Sequence, residues 1–287
     1  MIKRVFFISL FGLLFSSVVT AFPVTVKDES GVKFTAISAP RRIISTMPSN
    51  TEILFELGLD RRMIAVSSRC DYPPQVAQLP KIGDITLNTE KIVSMNPDLI
   101  VMLYDTQKYQ IEKFRELSLP VFVINPRNFD QLADSVLLLG KVTGVNSTAE
   151  RLAQRIRQGS SKARSKTRQG TAPKLLVVLW PSPLITAGKG TFIDDIVKRS
   201  GGQNIGAKVP GAYPSVDFEF VVREDPDYIV FAGKSYKNLQ KVLSDKRWQS
   251  LKAVQDKKVM LIDSDIVTRP SPRALTALDL ISTFINE

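Results

Sequence analysis

Three features of the sequence predict an α/β protein of two similar lobes, each a mainly parallel sheet flanked by helices, joined by one long interdomain helix. The first is a repeat. Glu90 to Val101 reads E-K-I-V-S-M-N-P-D-L-I-V, and Glu219 to Val230 reads E-F-V-V-R-E-D-P-D-Y-I-V. The glutamate, a valine, the Pro-Asp pair and the closing Ile-Val recur at one spacing. Stacked solenoid units repeat every 20 to 50 residues, so a period of about 130 indicates two lobes of one design. The second feature is the alternation of short apolar runs with capped amphipathic segments, the pattern of parallel strands covered by helices. The third is Ser147-Thr148-Ala149-Glu150, a capping box, with Ala149, Leu152, Ala153 and Ile156 on one helical face. Continued to about Arg164, that helix spans roughly 25 Å, enough to cross between lobes. The expected divisions are a signal peptide at 1–21, an N-terminal lobe at 22–145, the interdomain helix at 146–168 and a C-terminal lobe at 169–287.

A chain of 287 residues, 44% apolar, has room for two domains of ordinary size. Its first 21 residues read differently from the rest. Lys3 and Arg4 precede an apolar run from Val5 to Phe15, and Val19-Thr20-Ala21 is a small-residue cleavage site, so a secretory signal cut after Ala21 is expected. The run is shorter than the ~20 residues of a spanning helix, and the mature chain is expected to be soluble and exported. Cys70, the sole cysteine, is far from the cleavage site and cannot be the lipid-bearing first residue of a lipoprotein; it also has no disulfide partner. With no histidine, imidazole metal sites, Ser-His-Asp triads and Cys-His nucleophiles are excluded. No metal ligands, cofactor or catalytic residues are expected.

The net charge of +11, which falls by two when Lys3 and Arg4 leave, permits an anionic partner. The densest basic run is Arg151, Arg155, Arg157, Lys162, Arg164, Lys166 and Arg168. It lacks interleaved aromatics and reads as a solvated helix face rather than a nucleic-acid site.

Taken in order, Val24 to Ala39 suggests an edge hairpin. Arg42 to Thr46 is a strand, followed by a helix over Thr51 to Leu57 capped by Ser49 or Asn50 and ended at Gly58. Met63 to Ser67 is a second strand, opening into a loop from Arg69 to Pro74 that two prolines keep irregular. In each repeat copy, Asn88 or Asp217 caps a short helix, the glutamate favours the helix dipole, and Pro-Asp stops the helix before a buried strand. Between the copies, helices are expected at about Gln107 to Leu117 and Asp130 to Val142, with a strand at Val121 to Ile124. The second lobe opens with strand Lys174 to Trp180 and the loop Pro181 to Pro183. Leu184 to Ala187 is extended, Gly188 to Gly190 turns, and Phe192 to Ser200 is helical. After the second copy come helical segments to about Ala253, a strand at Val259 to Ile262, an open loop from Asp263 to Arg269, and a terminal helix with Pro272 at its first position.

Ligands of open α/β sheets sit beyond the carboxyl ends of the strands. The residues gathered there are Met47 to Asn50, Arg69 to Tyr72, Asp84, Tyr104 and Arg127 in the first lobe. The second lobe offers Trp180 to Pro183, Tyr213, Lys234 to Tyr236, Asp265 and Arg269. Aromatics, prolines and arginines together suit a bulky ligand with polar or anionic edges held between rigid walls. Glu90 and Glu219 lie one per lobe, at helix starts, with nothing nearby to raise a pKa as acid/base catalysis requires. Either each contributes only to its helix dipole, about 0.3 to 1 kcal/mol, or the two are acidic knobs for basic pockets on a two-fold symmetric partner.

The stretches I-I-S-T-M-P-S-N-T-E-I-L-F-E-L-G (43 to 58), V-S-S-R-C-D-Y-P-P (66 to 74), G-D-I-T-L-N-T-E-K-I-V-S-M-N-P-D-L-I-V (83 to 101), the second copy and R-P-S-P-R (269 to 273) resemble the periplasmic solute-binding proteins of cobalamin and iron-chelate ABC importers. The resemblance covers essentially the whole mature chain. It implies the class III periplasmic binding protein architecture, a ligand in the cleft between the lobes, and docking of Glu90 and Glu219 onto arginines of a dimeric permease in the inner membrane. The D-Y-P-P loop looks most like the cobalamin-binding branch. Carrying that branch's contacts across implies Arg69, Asp84, Leu103, Tyr213, Asp265, Ile266 and Arg269; with the strand-end residues, the ligand set expected is Asn50, Arg69, Asp84, Tyr104, Trp180, Tyr213, Asp265 and Arg269. The branch has tyrosine or tryptophan at the positions of Arg69, Asp84, Leu103, Tyr213 and Ile266, and only Tyr213 is aromatic here. Haem-binding relatives place an iron-ligating tyrosine at the Asp84 position. On the D-Y-P-P loop, cobalamin or a related corrinoid is the expected ligand; the loss of the aromatic positions and the extra arginine make an anionic ferric siderophore the competitor, and without that tyrosine haem is unsupported. A periplasmic chelatase-like enzyme is the alternative of another class.

Overall fold

The computed structural model describes residues 22–165, with the backbone alone for 162–165, and residues 172–286. The expected signal peptide and the side chains of Lys162, Arg164, Lys166 and Arg168 lie outside the described residues. In chain order the first half comprises β1 (Val24–Lys27), β2 (Lys33–Ala36), β3 (Ile43–Ser45), α1 (Pro48–Glu56), β4 (Met63–Val66), α2 (Thr89–Ser94), β5 (Leu99–Leu103), α3 (Tyr104–Glu116), β6 (Val121–Ile124) and α4 (Phe129–Thr143). α5 (Asn146–Ser165) follows. The second half comprises β7 (Lys174–Pro181), β8 (Leu184–Thr186), α6 (Phe192–Arg199), β9 (Gln203–Asn204), α7 (Phe218–Glu224), β10 (Tyr228–Ala232), α8 (Tyr236–Leu243), α9 (Lys246–Gln249), α10 (Lys252–Gln255), β11 (Val259–Ile262), α11 (Ser264–Thr268) and α12 (Ala274–Asn286).

β1 and β2 form an antiparallel hairpin. The first lobe's sheet has the order β4-β3-β5-β6, all parallel. The second has the order β11-β10-β7-β8, with β9 also paired to β7; only β8 runs antiparallel. Alternate residues of the central strands face opposite apolar layers. Leu99, Val101 and Leu103 point to one cluster, whereas Ile100 and Met102 point to another. In β7, Leu175 and Val177 join the same first cluster while Leu176 and Val178 face a third. The shared cluster also takes in α4, α5, α6 and α12, so one continuous core runs from lobe to lobe.

The repeat is reproduced in its caps, stops and ties to the neighbouring strand. Asn88 accepts the Lys91 N–H at 2.9 Å, and Asp217 accepts the Phe220 N–H at 2.7 Å. Each helix then ends at a residue with positive φ, Asn96 (43°) or Asp225 (44°), types that tolerate the left-handed region, and a proline follows. Asp98 accepts the N–H groups of Arg41 and Arg42, just before β3; Asp227 accepts the Lys174 N–H at the start of β7. Arg42 and Lys174 in turn donate to the helix-end carbonyls of Met95 and Glu224. Each copy thus ties a helix end to the first strand of its own lobe.

Four boundaries differ from expectation. α1 begins at Pro48, whose missing N–H suits a first helical turn, so Ser49 and Asn50 lie inside the helix and Met47 precedes it without a side-chain cap. α3 begins immediately after β5, with non-helical φ/ψ at Gln107, whose Oε1 accepts from Thr46 Oγ1 (2.6 Å) and the Leu103 N–H (3.2 Å). Asp263 to Arg269 is not an open loop: Asp263 caps α11 by accepting the Asp265 N–H. α12 begins at Ala274, and Ser271 to Arg273 form a turn before it. α5 runs unbroken through Gly159-Ser160-Ser161, with Ala149, Leu152, Ala153 and Ile156 buried, while Arg151, Arg155 and Arg157 face solvent.

Candidate functional site

A cleft of about 1200 Å³ opens between the lobes. The first lobe lines it with Met47 to Ser49 after β3, Arg69 after β4, Leu103, Asp105 and Thr106 after β5, and Asn125 to Arg127 after β6. All are at strand carboxyl ends, on either side of the point between β3 and β5 where strand order reverses. The second lobe supplies Lys189 to Phe192 after β8, the loop from Ala207 to Tyr213, and Asp265 with Thr268 to Pro270 on and after α11. Two of these segments meet closely. A Cβ on Gly188 would lie 1.9 Å from the Gly211 carbonyl oxygen, and the Gly188 N–H donates to Ala212 at 2.8 Å.

Of the expected ligand set, Arg69, Tyr213, Asp265 and Arg269 line this cleft. The other four do not. Asn50 is fully buried within α1, its Nδ2 donating to the Val101 carbonyl at 3.2 Å, because the helix starts earlier than its sequence suggested. Asp84 stands outside the lining, where its carboxylate takes the Arg69 guanidinium. Tyr104, at the first turn of α3, packs on the apolar layer beneath the sheet, and it is the next residue, Asp105, that faces the cleft. Trp180 is 59% exposed near the end of β7, where the chain turns into antiparallel β8 and the indole N–H donates to the Ser182 carbonyl at 2.8 Å. Sequence reading passed over Asp105, Asn125 and Lys189; Asp105 was within reach, since it follows a buried strand directly.

Beside the cleft, an ionic cluster spans both lobes. Glu52, on α1, has a side chain only 1% exposed. It accepts from Arg269 Nη1 (3.0 Å), Arg273 Nη1 (3.1 Å) and Ser271 Oγ (2.5 Å). Arg269 also reaches Asp71 of the first lobe (2.7 Å) and Asp265 of its own (2.9 Å). Lys234 pairs with Asp265 and lies 3.9 Å from Asp71, and the Arg273 guanidinium sits 3.8 Å over the Tyr72 ring. Partial burial works to raise the Asp71 carboxyl, but the hydrogen bond and charge of Arg269, with Lys234 nearby, hold it below the ordinary aspartate range. A second tie joins α4 to α6: Phe129 and Phe192 rings lie 5.0 Å apart, the Phe129 N–H donates to Asp195, and Arg199 bridges Asp195 (2.8 Å) and Asp130 (2.7 Å).

Tyr213 faces Asp105 and Arg127 from the opposite wall. The protein mass around the cleft raises its phenol pKa, helped by the Asp105 charge and opposed by Arg127, although the ring is 56% open to solvent. Cys70 is buried against Thr51 Oγ1 (3.1 Å) and Ser67 Oγ (3.3 Å), and burial pushes its thiol up. Glu90 and Glu219 are exposed in the first turns of α2 and α7, and neither forms an ion pair among the described residues.

Two α/β lobes, one connecting helix and a roomy cleft at the strand carboxyl ends define a ligand-capturing receptor of the class III type. The match of residues 43–266 to the periplasmic binding protein family model shows that the chain belongs to that family, which consists of substrate-binding proteins. A Bacillus subtilis protein described as an uncharacterized ABC transporter substrate-binding lipoprotein is 28% identical over 273 residues, covering 92% of this chain and 86% of its own. The vitamin B12-binding protein of Vibrio cholerae is 29% identical over 247 residues, 85% of this chain and 88% of that one. The crystal structure of the periplasmic vitamin B12 binding protein of that species superposes with a TM-score of 0.79 over 86% of this chain and 97% of its own, at 28% identity. A possible iron-binding, periplasmic solute-binding protein of Staphylococcus epidermidis superposes at 0.75 and 25% identity, over 87% of this chain and 100% of its own. The chain is thus a periplasmic substrate-binding protein of the vitamin B12, haem and iron-chelate type, of the kind that serves ABC transporters. Among the described residues no helix is long and apolar enough to cross a membrane.

Proposed function

We propose that this protein captures cobalamin or a related corrinoid between its lobes and delivers it to the permease dimer of an ABC importer. The observation that carries this reading is the size of the cleft. At about 1200 Å³ it exceeds the roughly 300–1,000 Å³ of ordinary small-molecule pockets, and relatives of the same architecture are described as vitamin B12-binding. On this reading Arg69, Tyr213, Asp265 and Arg269 contact the ligand. Asp84 positions Arg69, while Asn50 serves the fold. Residues 1–21 are removed on export, and lobes 22–145 and 169–287 flank the connector 146–168. Cys70, buried beside Thr51, carries no lipid.

A second reading, a ferric siderophore, is favoured by one feature: Arg69, Arg127, Lys189, Lys208 and Arg269 line the cleft against only Asp105 and Asp265. Titration of the mature protein with cobalamins, haem and ferric siderophores, read by tryptophan fluorescence, separates the two. Stoichiometric cobalamin binding with no chemical change is expected. Preference for a ferric siderophore would replace the corrinoid reading, and conversion of the ligand would restore the enzyme reading.

Glu90 and Glu219, matching positions of the repeat, are the two docking contacts for the permease. Changing both to alanine is expected to abolish transport while cobalamin still binds. Transport that survives the double change would reduce them to helix-start acids.

A further inference from the structure

The cations of the cleft are for the most part already neutralised. Arg69 is paired with Asp84, Arg127 with Asp105, and Lys208 with Glu224, while Arg269 is shared among Glu52, Asp71 and Asp265. Of the basic residues lining the cleft only Lys189 lacks a carboxylate partner among the described residues. A wall of ion pairs presents donors and acceptors side by side rather than a positive field, and a polyanion gains little from guanidinium groups that keep their counter-ions.

One pair is placed to read a ligand group directly. Asp105 Oδ1 accepts from Arg127 Nη2 (2.8 Å) and Asn125 Nδ2 (3.0 Å), and Asn125 Oδ1 takes the Asp105 N–H at 3.3 Å. Those bonds fix both side chains but leave Asp105 Oδ2, and Nε and Nη1 of Arg127, without partners among the described residues. Both side chains are about half exposed, and both line the cleft. The pair therefore offers one strong acceptor beside planar donors.

From this geometry we infer that Asp105 and Arg127 form a carboxamide subsite, which selects a ligand fringed by primary amides over the same ligand bearing carboxylates. A primary amide matches the pair in both directions: its N–H donates to Asp105 Oδ2 and its C=O accepts from Arg127. A carboxylate satisfies Arg127 alone and sets its second oxygen against Asp105, a like-charge contact in a partly desolvated cleft. Tyr213, across the gap, adds a hydroxyl donor. This inference rests on the corrinoid reading and names what that reading leaves open, since corrinoids carry primary amides around the macrocycle. It also removes the advantage that a count of basic residues gave to an anionic siderophore.

The test compares cobalamin with its monocarboxylic acids, each having one peripheral amide hydrolysed, by equilibrium titration of the mature wild-type protein and Asp105→Asn. In the wild type, one of the acids is expected to bind at least about tenfold more weakly than the parent. In Asp105→Asn the like charge is gone and the side chain can donate as well as accept, so the ratio of amide to acid affinity should fall toward one for that acid alone. Arg127→Met serves as a second variant, expected to weaken both ligands but the acid more, since the acid loses its only favourable partner and meets an Asp105 no longer neutralised, so the same ratio should widen. Equal wild-type affinity for all the acids and the parent overturns the subsite while leaving the corrinoid reading in place, and so does a ratio unchanged in both variants. If no cobalamin binds at all, the corrinoid reading fails and the inference falls with it.

Discussion

Glu52 holds three donors of the second lobe from a helix of the first, and its side chain is almost wholly shielded from water. Removing one partner of a buried ionic cluster leaves the others desolvated and unpaired, at a cost of about 3–5 kcal/mol. Glu52→Ala is therefore expected to lower stability by about that amount in urea unfolding, and a change below about 1 kcal/mol would show that water replaces the carboxylate. Nothing in T-E-I-L-F marks Glu52 as different from any helical glutamate, because its partners lie more than two hundred residues along the chain. Arg269 and Asp265, by contrast, were legible from their place after the last strand. Asp105 was obscured by its neighbour: Tyr104 looked the better ligand group, yet the helix that starts at that residue turns the ring inward and the carboxylate outward.

At the level of elements, the strands were the most legible part, since runs of four or five apolar residues between turn signals have few alternative fates. The repeat was legible for a stronger reason, that both copies use one set of caps and stops. Helix starts were less so. Pro48 opens α1 where a Ser or Asn cap looked sufficient, and Asp263 caps a short helix that proline-rich surroundings had concealed. The turn after β8 is specified by packing rather than by local propensity. Gly188 lies so close to the Gly211 carbonyl that any side chain must separate two segments lining the cleft. Overpacking of this kind costs about 1–3 kcal/mol. Gly188→Ala is expected to lower the melting temperature and to weaken ligand binding together; unchanged binding would show that the loop from Ala207 to Tyr213 relocates without harm.

At the scale of the whole molecule, the lobes are joined by α5, by the Phe129–Phe192 and Arg199 contacts, and by the Glu52 cluster. The two-lobed architecture and its connecting helix could be read from the sequence, but the other two ties could not, because each pairs residues from distant parts of the chain. The Asp71 contact makes one of them sensitive to acid. Its folded pKa is depressed, so its contribution is complete above the ordinary aspartate pKa of about 3.9 and is lost as the pH falls below that through the depressed value. Wild type and Asp71→Asn should therefore differ in thermal stability at neutral pH and converge in strong acid. Both groups are reached by solvent on one side, so the neutral-pH difference should also shrink with added salt. A difference that persists at low pH would assign the effect of the substitution to packing.

The unbroken connector has a consequence for the transporter. A continuous helix of 20 residues, braced at two further points, would resist a large change in the silhouette of the receptor between an empty and a full cleft. On the proposed function, shape would then carry little news of cargo to the membrane. Empty copies would compete for the same berth as loaded ones, and uptake would depend on the proportion of receptors that arrive filled as well as on their total number.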